Sequence, residues 1–308
     1  MGTVFLKELS DHFGRRRFVV LAGIIILAGV WAGYVAVRSL SGVSGELPSE
    51  LVFLQLFTAG SGFLPPFLFF ISFFGPLIAI TLGFDSINSE RTQGTLARTL
   101  SQPIYRDSVF NGKFLAGMTT IAVIQASIAL VVIGLGMMIL GFAPSLEALL
   151  RILLFAFVSV IYMSFWLVVA MLTSVWFGRA VSSALTSLAL WLFFGFIMLM
   201  LAGGVADLIV SDTSEQVDAL RHIRIQDTVL RFSPVTLFQE ATATLLSPTT
   251  RSLGPVLSQQ LEGLQSLTPL PLSQSLVLIW PHLVAMLGLA GVCFGISYVK
   301  FLREEMRP

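Results

Sequence analysis

The side chains able to do covalent or metal chemistry are few in this sequence, and their spacing argues against both. Gly42-Val43-Ser44-Gly45 spells the G-x-S-G string of an intramembrane serine protease. Such an enzyme needs that serine on a buried helix facing a histidine base. Ser44 falls instead in a Gly/Ser-rich connection, so the match reads as chance. His12, His222 and His282 are too scattered for a shared metal site to be expected. The single cysteine, Cys293, stands inside an apolar run, which excludes an internal disulfide or a cysteine metal site. Its expected role is that of a small packing residue. No G-x-x-x-x-G-K-[ST] phosphate loop occurs, so this chain does not bind ATP in the usual way. One segment remains that is dense in polar and charged groups, from Asp85 to Arg106, lodged between two long apolar runs.

The elements that position this island follow from composition. Hydrophobic residues make up 56% of the 308 and charged residues 11%, with a mean hydropathy of +0.89. A soluble domain carries about 25% charged residues, so this is a membrane protein, and its net charge of +1 matters less than where the charges stand. A hydrocarbon core of about 30 Å takes about 20 helical residues. Six runs suffice: 18–37, 65–84, 114–142, 149–175, 182–202 and 276–301. None carries an acidic or basic residue near its middle, where each would cost about 2.5–3.5 kcal/mol. Gly203-Gly204 is expected to break the fifth run, leaving 205–210 as a short non-spanning piece.

Placing the N-terminus in the cytoplasm puts Lys7, Arg15, Arg16, Arg17, Arg91, Arg98, Arg106, Lys113, Arg179, Lys300, Arg303 and Arg307 inside. The short outer segments then keep only Arg38 and Arg151, a strong positive-inside asymmetry. Arg15-Arg16-Arg17 reads as an inside anchor rather than a cleaved leader, because five more apolar runs follow. The expected fold is all-α and polytopic, with six spans and both termini cytoplasmic. It divides into an interfacial elbow helix (1–17), spans one and two with an outer loop at 38–64 (18–84), and a cytoplasmic region (85–113). Spans three to five (114–202), an extracytoplasmic helical loop (203–275) and span six with a tail (276–308) follow.

Within the island, Asn88 or Ser89 is expected to cap a short helix whose first turn carries Glu90. Gly94 breaks or bends it, a second turn covers 95–100, and Pro103 stops that one. Leu96, Leu100 and Ile104 recur at i, i+4 and i+8 as an apolar ridge. So short a helix is unstable alone and needs a partner surface. Residues 1–17 show Phe5, Leu6, Leu9 and Phe13 on one face and Lys7, Glu8 and Asp11 on the other, either an elbow near a partner or a leader resting on lipid. In the outer loop, 213–231 reads as a helix with Asp212 as cap and Val217, Leu220, Ile223 and Leu230 inward. A second begins at Ser233-Pro234 with Leu237, Ala241 and Leu245 on one face, and a third covers 255–267. A cap on the outer ends of the spans is favoured over a docking platform for an extracytoplasmic protein.

Glu90-Arg91-x-x-Gly94-Thr95-Leu96-x-x-x-Leu100-Ser101-x-Pro103-Ile104-x-Arg106, between spans two and three, resembles the coupling region of the type-2 ATP-binding-cassette exporter permeases. The basic elbow before span one extends the resemblance. Phe232-Ser233-Pro234 through Glu240-Ala241 is similar to the permeases of nitrous-oxide-reductase maturation, while Thr99 departs from a frequent leucine. The resemblance implies a non-catalytic, multi-pass subunit of a prokaryotic cell membrane, working as a homodimer or with a related permease. Each subunit would sit in lipid and rest on a separate cytoplasmic ATPase that holds the ATP and Mg. No cofactor, metal or nucleic acid is implied for this chain. Glu90, Arg91, Gly94, Thr95, Leu96, Leu100, Pro103 and Arg106 would form the mechanical contact, and closure of the ATPase pair would tilt the spans.

Gly29-x-x-x-Gly33 and Gly291-x-x-x-Gly295 are expected to let helices approach closely, within one subunit in preference to a dimer seam. Gln125, Ser127, Tyr162 and Thr173 are polar side chains inside spans, open to lining a pathway or to helix-to-helix hydrogen bonding. An ion-coupled secondary transporter would place ionisable groups within its spans, and the sequence offers only His282 near an outer end. An intramembrane enzyme would need a buried nucleophile and base, which do not assemble. No substrate follows from these residues.

Overall fold

Lipid leaves an apolar backbone one local way to satisfy its polar groups, the helix, and the chain is built from helices. The computed structural model describes residues 2–14, 49–58, 67–94, 105–210, 216–247 and 270–303, with isolated positions between 23 and 35. In chain order, α1 is Gly2–Gly14, α2 Ser49–Thr58, α3 Phe67–Gly83, α4 Asn88–Thr92, α5 Arg106–Leu140 and α6 Leu146–Trp176. Then come α7 Ala180–Leu192, a π-helical turn Phe193–Ile197, α8 Met198–Ile209, α9 Gln216–Leu230, α10 Pro234–Leu246 and α11 Leu272–Arg303. No strand occurs among the described residues.

Among the described residues, five stretches are long and apolar enough to cross a membrane: Phe67–Thr92, Arg106–Leu140, Leu146–Trp176, Ala180–Ile209 and Leu272–Arg303. They coincide with the second to sixth expected runs. Most of the first, 18–37, lies outside the described residues. The expected break at Gly203-Gly204 is absent, since α8 runs through both glycines. Glycine costs a helix about 1 kcal/mol, too little to break one whose surroundings supply no competing hydrogen bonds. The irregularity is the π-helical turn before it.

The bundle is organised around α6, which is buried along most of its length. α3 approaches it tightly: a Cβ on Gly83 would stand 2.7 Å from the Ala170 Cβ and 2.8 Å from the Leu167 carbonyl. Gly29 packs on Phe67 and Ile128, and Gly33 on Val132, as a close-approach motif should. Gly291 and Gly295 do not, because nothing lies within 4 Å of a Cβ at either. Among the described residues nothing packs on α11 at these two glycines, so the expected close approach is not seen there.

The α9–α10 pair departs most from expectation. A cap would touch only the ends of the long helices, but α10 packs beside their middles. Phe238 stacks on Tyr162, halfway along α6, with ring centroids 4.2 Å apart and planes 11° from parallel. Ser233 at the start of α10 donates its hydroxyl to the carbonyl of Phe194 in the π-helical turn at 2.8 Å. The same hydroxyl oxygen accepts from the Val235 N–H at 3.2 Å, so it caps α10 as well. Leu237, Ala241 and Leu245 are buried as expected. Leu230 is buried too, but Leu220 is 61% exposed and does not face inward. Asp212, the Val217 side chain and 255–267 lie outside the described residues.

Candidate functional site

Two polar constellations stand out against the apolar frame. The first surrounds the island. α4 is a single short helix, and its N-terminal N–H groups are capped from another helix rather than by Asn88 or Ser89. The N–H groups of Ile87 and Asn88 donate to the Ser174 hydroxyl of α6 at 3.1 and 3.2 Å. The Ser89 hydroxyl instead donates to the Asp85 carbonyl at 2.6 Å. The Asn88 amide is fully buried, with neither terminal atom hydrogen-bonded. Gly94 ends the helix at φ +68°, a left-handed conformation that glycine adopts without strain.

Lys113, in the opening turns of α5, reaches two carboxylates on separate elements. Its Nζ lies 2.8 Å from Glu8 Oε1 of α1 and 2.8 Å from Glu90 Oε1 of α4. Only 4% of the Lys113 side chain is exposed, against 7% for Glu8 and 15% for Glu90. Lys7 stands farther out, 3.7 Å from Glu8, 3.9 Å from Glu90 and 3.9 Å from Asp11. Burial pushes the Glu8 carboxyl up, but attraction and hydrogen bonding from Lys113, with Lys7 and His12 nearby, outweigh it and hold Glu8 below its ordinary range.

Of the expected polar face of α1, Lys7 stays exposed while Glu8 turns inward. Val4, Glu8 and His12 are the buried residues, and Val4 seats where a Cβ on Gly112 would meet it at 3.0 Å. Leu6 and Phe13 are exposed. A buried ammonium needs carboxylate partners, whereas leucine and phenylalanine can rest in lipid.

Of the residues expected at the contact, Glu90 thus turns into the subunit while Gly94 is exposed. Arg91 is partly exposed, and Arg106 donates to the Leu302 carbonyl at the end of α11 at 3.5 Å. Thr95, Leu96, Leu100 and Pro103 lie outside the described residues. The four polar span residues are not brought together. The Tyr162 hydroxyl donates to the Ser72 carbonyl at 2.9 Å. Thr173 bridges α6 to Ser183 and Ser187 of α7 at 2.9 and 2.7 Å. Gln125 is buried with its Nε2 unpartnered, and Ser127 bonds the Val123 carbonyl of its own helix from an exposed face.

The second constellation escaped the sequence reading. Glu240 of α10 meets His282 of α11, Oε2 to Nε2, at 2.7 Å, and Arg231 Nε approaches the same oxygen at 3.3 Å. Both Glu240 and His282 are buried, and Glu240 Oε1 and His282 Nδ1 have no hydrogen-bond partner among the described residues. His282 lies ten residues into α11, about 15 Å along the axis at 1.5 Å per residue. The distant histidine His222 pairs separately with Asp207 at 2.8 Å. No group of three or more metal-ligating side chains occurs among the described residues. The advance signals for the Glu240–His282 pair were His282 inside an apolar run and a glutamate beside the apolar face of α10.

The described residues form a scaffold of long apolar helices around a centrally packed span, with a short polar helix pinned at one end. A search among curated proteins finds no match. Residues 3–306 match the family described as ABC-2 family transporter protein, nearly the whole chain. The chain therefore belongs to the ABC-2 transporter family, a multi-pass membrane component of an ABC transporter.

Proposed function

We propose that this chain is the permease subunit of an ATP-driven exporter in a prokaryotic cell membrane, with α1, α4 and the chain ends on the cytoplasmic side. It works as a dimer, with itself or a related permease, and each copy rests on a separate ATPase that carries ATP and Mg. The island from Glu90 to Arg106 is the contact, with Leu96 and Leu100 as its apolar ridge. One observation carries this reading. The short helix α4 has no independent footing and is bonded to α6 through Ser174 and to α1 and α5 through Lys113. A push on the island is thereby passed to three helices at once, which is what coupling requires.

The test is reconstitution with a cognate cytoplasmic ABC ATPase. Leu96→Asp should leave membrane insertion intact and remove most of the permease-dependent stimulation of ATP hydrolysis. Unchanged hydrolysis, or cross-linking from Leu96 that captures only lipid, would overturn the assignment.

A second reading, ion-coupled transport, draws on the Glu240–His282 pair beside the spans. It predicts substrate movement driven by a proton gradient in vesicles lacking any ATPase.

A further inference from the structure

Where α6 ends and α11 ends, the helices enclose an open groove of about 580 Å³ lined by Trp176, Gly295, Ile296, Val299, Lys300 and Arg303. This end is also that of α4, since Ser174 caps α4 and Arg106 reaches Leu302. The lining is divided by polarity. Ile296 and Val299 are exposed, and Gly295 leaves a notch with nothing within 4 Å of a Cβ. Exposed Val292 and the open positions Gly288 and Gly291 continue that apolar track along α11 away from the end. At the mouth stand the two cations. Lys300 Nζ sits 5.0 Å from the centre of the Trp176 ring, a cation–π contact that holds the ammonium beside the groove. Neither Lys300 nor Arg303 forms an ion pair among the described residues. Glu304 and Glu305 follow outside them.

The geometry points to a site for a phospholipid with an anionic headgroup, its phosphate between Lys300 and Arg303 and one acyl chain along the glycine-notched track. Arginine offers a planar fork to phosphate and lysine a point charge. A half-exposed tryptophan beside them is the residue type that settles at a headgroup boundary. A free phosphate would use the cations but leave the apolar track empty, whereas a lipid uses both. This site rests on the long helices crossing a bilayer and not on the ATPase assignment, so either can fail alone.

The test is native mass spectrometry of the full chain, extracted with phosphatidylglycerol, phosphatidylcholine or inorganic phosphate. Phosphatidylglycerol should be retained over phosphatidylcholine, with no displacement by millimolar phosphate. Lys300→Gln and Arg303→Gln should each weaken retention roughly fivefold, the worth of one basic residue near an anionic surface. Gly295→Leu fills the groove without disturbing the helix pair and should abolish retention with both cations intact, which covers the case where the charge variants fail to fold. Equal retention of the two lipids would overturn the proposal. Competition by phosphate would make it a soluble-anion site instead. A change of oligomeric state in Gly295→Leu with lipid retention intact would make the face a seam between copies.

Discussion

Each end of the bundle is held by one buried cation, and the two are held differently. At the α1 end Lys113 draws together carboxylates from α1 and α4. At the opposite end Arg151, 1% exposed, draws together main-chain oxygens. Its Nη1 donates to the Leu245 carbonyl at 3.1 Å and the Ser275 hydroxyl at 3.2 Å, and its Nη2 to the Leu270 carbonyl at 2.6 Å. Its one carboxylate partner, Glu147, is 48% exposed. The ammonium of lysine is a compact charge that suits two anions, while the guanidinium is a rigid fork that reaches several neutral acceptors at once. One end is therefore fastened by charge and the other by directional hydrogen bonds. The end fastened by charge carries the island.

The largest expected effect comes from Lys113→Met, which leaves Glu8 and Glu90 buried without their shared cation. Breaking one side of a buried pair costs about 3–5 kcal/mol, visible as a lowered thermal midpoint in detergent. Adding Glu8→Gln and Glu90→Gln should recover much of it, and a wild-type midpoint in the single variant would dismiss the charge-held end. Arg151→Lys keeps the charge but loses the fork, and unpairing buried acceptors costs about 1–3 kcal/mol. Faster hydrogen exchange near 245–247 and 270–275 is the expected readout.

Acid should separate the two ends. Because Glu8 titrates below its ordinary value of 4.5 when folded, its contribution is complete above that pH and is lost as the pH falls through the depressed value. Wild type should therefore lose more thermal stability than Glu8→Gln between neutrality and about pH 3, with α1 leaving α5 while α10 stays docked. Identical acid profiles would mean that Lys113 does not hold α1 by charge. The smallest effect is expected from Glu147→Gln, within about 1 kcal/mol for a partly exposed pair. A larger loss would show that the Arg151 end depends on charge after all.

Much of this was legible in advance. Five described spans fall where apolar runs of sufficient length occur, because hydrocarbon thickness imposes a length that composition alone reveals. Pro234 after Ser233 announced the start of α10, and Gly94 the end of α4, since both act through local backbone conformation. The inward turn of Glu8 on α1 was not legible, because its partner Lys113 is distant in sequence. Arg151 read as a loop charge for the same reason, its acceptors being Leu245, Leu270 and Ser275. The depth of α10 was hidden too, since an amphipathic helix shows which side it buries but not how far down it sits.

Length, apolarity and turn chemistry act over a few residues, so the amino-acid order by itself determined an all-helical membrane chain with a polar island that cannot stand alone. Which carboxylate meets which cation depends on helices separated by tens of residues in sequence. Only the tertiary structure decided that Lys113 joins α1 to α4 and that Glu240 reaches His282. Those contacts exist because close packing around α6 brings the helices within hydrogen-bond reach, and no local pattern encodes that distance.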